Sequence, residues 1–161
     1  MDKCGGFDYD FFAHMEEIDL CWRLHNLGYR ISFIPDSVVY HVGGGALPYN
    51  SPFKTYLNFR NSLYLLYKNL PARKFRQKMF IRLLLDGVAA AFFLVKMQFR
   101  SVAAVWNAHM DFYRNLHLLK SKRTLLMKSN TKLPDTVLNK IIVFEFYIKQ
   151  NKTYYSLKIN F

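Results

Sequence analysis

Cysteine is scarce in this chain of 161 residues: only Cys4 and Cys21 are present. They have neither CxxC spacing nor a histidine at zinc-finger distance, which excludes a metal finger and a disulfide framework. Glycine (7) and proline (5) are also few, and 52% of residues are hydrophobic, which excludes a disordered chain. Long apolar runs are missing. The longest, Leu83 to Val95, is thirteen residues with Asp86 inside it, whereas a spanning helix needs about twenty. The polar, glycine-containing start lacks the pattern of a signal peptide, so a reducing cytosolic setting is expected. Acid is almost absent from the second part: residues 51–161 hold four Asp/Glu against twenty Lys/Arg, a net of +16. Residues 1–50 are the reverse, with seven acids against Lys3, Arg23 and Arg30, a net of −4. Such a division suggests chemistry in the first part and attraction to an anionic surface in the second. No motif of the usual nucleic-acid modules accompanies the basic charge, so nucleic acid is not expected as a partner.

What is present organises into a mixed head and a helical tail. Glu16–Leu27 predicts a helix, opened by acids and closed by Gly28 at the C′ position. Leu20, Leu24 and Leu27 form one apolar stripe with Ile18, Trp22 and His25 roughly opposite, as in a helix packed on two sides. Tyr29–Ile34 and Ser37–His41 read as short strands separated by Pro35, and Gly43–Gly45 as a turn. From Ser51, a cap followed by Pro52, a helix runs to about Asn69, where Pro71 breaks it. Further helical patterns cover Arg73–Phe99 and Ser101–Lys122. Residues 129–134 read as a linker, and 137–148 fit helix and strand equally. Three regions are therefore expected, over residues 1–50, 51–128 and 129–161, with no internal repeat.

Chemistry is concentrated in Gly5 to Arg23, Gly-Gly-Phe-Asp-Tyr-Asp-Phe-Phe-Ala-His-Met-Glu-Glu-Ile-Asp-Leu-Cys-Trp-Arg. Glu16, Glu17 and Asp19 fall within four positions, and Arg23 follows Asp19 at the i+4 spacing of an ion pair. Gathered carboxylates repel one another and resist desolvation, which is costly for packing alone. Acids in a helix's first turn are nevertheless ordinary, and by themselves would mark a solvated helix start.

The whole run resembles the acceptor-side motif of family-2 glycosyltransferases, inverting enzymes of the GT-A fold. Leu27-Gly28-Tyr29 and Pro35 follow at the family's spacings, and Arg60-Asn61 and Asn69-Leu70-Pro71 are similar to the helical tail often attached to it. The resemblance implies an α/β fragment, the C-terminal part of a GT-A-like domain with a mainly helical tail. It implies Glu17 as the catalytic base, with Glu16 beside it and Asp19 structural or acceptor-orienting. His41, at a strand end, would complete the coordination of a divalent metal, Mg or Mn, on the diphosphate of a nucleotide-sugar donor; a histidine bonded to loop backbone is the other reading. Glu17 stands where many relatives have aspartate, and His14 replaces an aromatic. The Asp-x-Asp metal motif that belongs upstream of this run and the nucleotide-binding strands are not in the chain, so the expectation is an acceptor half that is inactive alone. In the complete enzyme the acceptor would be a cell-surface glycan or a lipid-linked one.

Arg73-Lys74-Phe75-Arg76-Gln77-Lys78 precedes the apolar stretch from Leu83, the pattern of a segment lying in the headgroups of an anionic membrane surface. An ordinary amphipathic helix packed on the protein is the alternative. The expected location is cytoplasmic and peripheral, on the inner face of the cell membrane. Two other identities fit the composition: a non-catalytic membrane-associated remnant and a small basic interaction protein.

Overall fold

The computed structural model describes residues 4–40, 48, 51–129, 140–153 and 156. A 3-10 turn, Tyr9–Phe11, is followed by α1 (Glu16–Asn26), α2 (Pro52–Asn69), α3 (Ala72–Val95), α4 (Phe99–Arg114), α5 (Leu116–Ser129) and the short α6 (Ile142–Tyr147). Helix α2 is the centre: α3, α4 and α5 pack on it, as do the 3-10 turn and α1.

Local signals account for most boundaries. The Ser51 hydroxyl accepts from the Lys54 N–H at 3.0 Å, and Pro52 occupies the first turn of α2. Pro71 ends that helix and starts α3. Gly28 follows α1 at φ 84°, and its N–H bonds the His25 carbonyl at 2.9 Å. The pattern over Ser101–Lys122 is divided, however. Asn115 interrupts it, its side-chain amide donating to the Tyr64 hydroxyl at 2.9 Å and to the Asp111 carbonyl at 2.8 Å.

Phe11, Leu63, Tyr64, Leu65, Met79, Phe112 and Leu119 form one core. Ala104 and Ala108, both buried, let α4 approach α2 closely. The buried stripe of α2, in contrast, is half polar: Leu57 and Tyr64 alternate with Asn61 and Lys68. Buried polar groups persist only where partners satisfy them. Here those partners belong to the chain before α1 and to α1 itself.

The α/β expectation is overturned, because the described residues are helical and contain no strand. Residues 29–40, which carry the strand-like sequences (His41 lies outside the described residues), are exposed throughout and without regular structure, with a turn in which Ser37 N–H bonds the Ile34 carbonyl. Their β-branched and aromatic side chains suit a pleated sheet. A strand nonetheless needs a neighbour to exchange hydrogen bonds with, and the described residues offer none. Both predicted stripes of α1 have a packed member, Leu20 buried on one and Trp22 against the core on the other, while Ile18 and Leu27 face solvent. Residues 137–148, balanced between helix and strand by pattern, contain α6.

Candidate functional site

The chain before α1 is held by side chains of α2. Phe11 is fully buried, edge-on to Tyr64 at 6.4 Å, with the Lys68 ammonium 4.8 Å from its ring centre. The Asn61 amide donates to the carbonyls of Phe11 (2.8 Å), Ala13 (2.7 Å) and His14 (2.8 Å). Arg60 donates to those of Asp10 and Phe11 at 3.0 and 3.2 Å. Between these anchors Phe12, His14 and Met15 adopt φ of 61°, 68° and 74°. A non-glycine residue in that region costs about 1–3 kcal/mol, so three within four positions persist only because Arg60 and Asn61 over-determine the turn. Met15 delivers the chain into α1, whose first residues are Glu16 and Glu17.

A second group of charges clamps the far side of the turn. Asp19 and Arg23 make the predicted ion pair at 2.8 Å, and Asp19 also meets Lys68 at 3.0 Å and the Asn69 amide at 2.8 Å. Arg23 reaches back to the carbonyls of Cys4 and, at 2.7 Å, Gly6. Lys68 also bonds Asp8, and Lys122 of α5 bonds Asp8 at 2.6 Å and Asp10 at 2.7 Å. A hollow of about 380 Å³ lies beside this group. The three cations lining it, Arg23, Lys68 and Lys122, are each bonded to a carboxylate, so they serve the fold rather than a free anion.

Burial alone would raise the Asp8 carboxyl, but hydrogen bonds from Lys122 and Lys68 more than reverse this and hold it at about 2, below its ordinary 3.8. A carboxyl depressed on folding stabilises above its unfolded value and loses that contribution as pH falls through its folded value. Resistance to urea should therefore weaken as pH drops from about 4 to about 2. Asp8→Asn should be less stable at neutral pH and show a shallower fall over that window, which denaturation midpoints at stepped pH will check.

The sequence-predicted residues separate into two kinds. Asp19 is fully buried with both oxygens engaged, so it fixes α1. Glu17 is exposed, and Glu16 is partly buried, with Oε2 lacking a hydrogen-bond partner among the described residues. His41 lies outside the described residues. Among those described, no three His, Cys, Asp or Glu side chains gather as a divalent metal requires. The metal implied by the resemblance has no donor set there.

Sequence reading passed over an aromatic rail that starts in the strained turn. Phe12 touches Phe53 at 6.2 Å between ring centres, and Phe53 stacks on Tyr56 at 5.9 Å. Both α2 rings line a groove of about 680 Å³ against α4, with Arg100, Asn107, Asp111 and Arg114 around it. The Tyr56 hydroxyl donates to Asp111 at 2.6 Å, and burial together with that carboxylate raises its pKa. Phe53 and Tyr56 sit three apart at the start of α2, a spacing that places them on one face. That was the available signal, and nothing in sequence showed what they would meet. Comparison with protein-family models, curated proteins and solved structures finds no match.

Proposed function

We propose that this chain forms the acceptor side of a glycosyl-transfer site, with Glu17 as the general base. The observation that carries this is the strained turn at residues 12–15, which bears the acid pair at one end and joins the aromatic groove at the other through Phe12. Backbone strain held by a buried network is characteristic of functional sites. A pyranose presents an apolar C–H face and a rim of hydroxyls. The Phe53 and Tyr56 rings suit the former, while Asn107, Asp111 and the two arginines suit the latter.

In the reaction the Glu17 carboxylate takes the proton of an acceptor hydroxyl as its oxygen bonds to the anomeric carbon of a nucleotide sugar. The bond from that carbon to the diphosphate breaks, the nucleotide diphosphate leaves, and the configuration inverts. Glu16 lies beside the base, and Asp19 holds the helix that presents both. On this reading the chain works peripherally at the inner face of the cell membrane, in reach of a cell-surface or lipid-linked glycan.

Saturation-transfer NMR of the chain with a panel of oligosaccharides tests the acceptor groove. Saturation should pass to C–H protons of at least one glycan, and Phe53→Ala should weaken binding about tenfold or more. Glu17→Gln should leave binding unchanged. Failure of every glycan to saturate, or binding indifferent to Phe53→Ala, would remove the groove from the proposal.

A further inference from the structure

Helix α3 is apolar on its outward face as well as on the inward face that carries Phe75, Met79 and Leu83 against the core. A helix on a water-soluble core turns its apolar side inward and its charges outward. Over residues 80–95 the outward stripe instead carries Phe80, Leu84, Val88, Phe92 and Val95, between 54% and 83% exposed, at steps of four, four, four and three. Asp86, the one carboxylate between residues 51 and 110, points inward at 3% exposure. There it meets Arg82 at 2.8 Å and His109 of α4 at 3.0 Å. The apolar stripe runs about 22 Å at 1.5 Å per residue.

Charge brackets this stripe at both ends and is of one sign. Toward the start of α3 the same face continues through the exposed Arg76 and Arg73. At the other end Lys96 folds its ammonium over the Phe92 ring, 4.5 Å from its centre, with Met97 exposed in the α3–α4 turn and Phe99 and Arg100 exposed at the start of α4. A contiguous apolar face of this kind marks an interaction surface. Its basic ends and lack of carboxylate call for an occupant that is both apolar and anionic.

We infer that this face of α3, with the α3–α4 turn, lies on an anionic lipid surface, its apolar side chains at the acyl boundary and its basic ends among the headgroups. A second copy fits poorly, because antiparallel pairing would set Arg73 and Arg76 against Lys96 and Arg100. Nucleic acid would leave the aliphatic Leu84, Val88 and Val95 without a partner. No helix among the described residues is long and apolar enough to cross a membrane, so α3 lies along the surface. The surface requires nothing of Glu17, and would stand if no sugar were transferred.

Flotation of the chain with lipid vesicles tests the inference. The protein should float with phosphatidylcholine containing about one-third phosphatidylserine and far less with phosphatidylcholine alone. Arg73→Gln with Arg76→Gln should weaken partitioning about thirty-fold, from about five-fold per basic residue. Leu84→Gln with Val88→Gln should weaken it at least about tenfold and remove the part that survives high salt, without lowering the melting temperature. Binding to neither vesicle overturns the inference. So does RNA binding that the leucine–valine variant leaves intact while vesicle binding is absent, or a dimer that this variant disperses.

Discussion

Asp19→Ala is expected to destabilise the protein by about 3–5 kcal/mol, the cost of breaking a buried ion pair by removing one partner. Lys68 and Arg23 are almost wholly buried, at 2% and 7% side-chain exposure. Without Asp19, Arg23 keeps the Cys4 and Gly6 carbonyls, and Lys68 keeps Asp8 as its one carboxylate among the described residues. The Asn69 amide loses its carboxylate and keeps the Leu65 carbonyl. A domain of this size is stable by about 5–15 kcal/mol, so the loss approaches unfolding at the lower end. Urea denaturation at neutral pH, followed by circular dichroism, gives the number. A loss below about 1 kcal/mol would mean that the pair is no stronger than a surface one and that the clamp around α1 lies elsewhere.

The same residues show how far sequence could be read. Asp19 and Arg23 were legible because a helix brings i and i+4 together whatever surrounds it. Ser51, Pro71 and Gly28 were legible for the same reason, as each acts through its own backbone. The strands were not. Tyr29–Ile34 has the composition of a strand, but pairing is a tertiary event, and composition cannot report whether a partner exists. Asn115 divided a helical pattern through a bond to Tyr64, fifty-one residues away, a contact that no local spacing announces.

The site was legible in part. The run from Gly5 to Arg23 pointed to the acids at the start of α1, which follow a strained turn. Its support did not announce itself. Asn61, Lys68 and Asn69 read as ordinary polar residues of a tail helix, yet they occupy its buried stripe and grip the turn. A polar residue recurring at core positions of a helix was the available signal, and Arg60-Asn61 stood out only through the resemblance. The aromatic groove needed α4 brought against α2. The outward apolar stripe of α3 became visible only with its packing face, on which Asp86 is buried.

Proton removal by Glu17 is the central claim, and loss of that group should have the largest effect on activity. Glu17 is exposed, so Glu17→Gln should leave unfolding unchanged. Glutamine keeps the size of the side chain but cannot take a proton at neutral pH. The interaction it removes exists only in the transition state, so the turnover number should fall while acceptor KM stays nearly constant. Glu16→Gln should have a much smaller effect, and Asp19→Asn should act through stability. The direct measurement is the rate of sugar transfer from nucleotide-sugar donors to glycan acceptors by the natural gene product carrying this chain, wild type against Glu17→Gln. A fall of about 10²–10⁴-fold with unchanged folding is the predicted result, and a Glu17→Gln rate equal to wild type would contradict it.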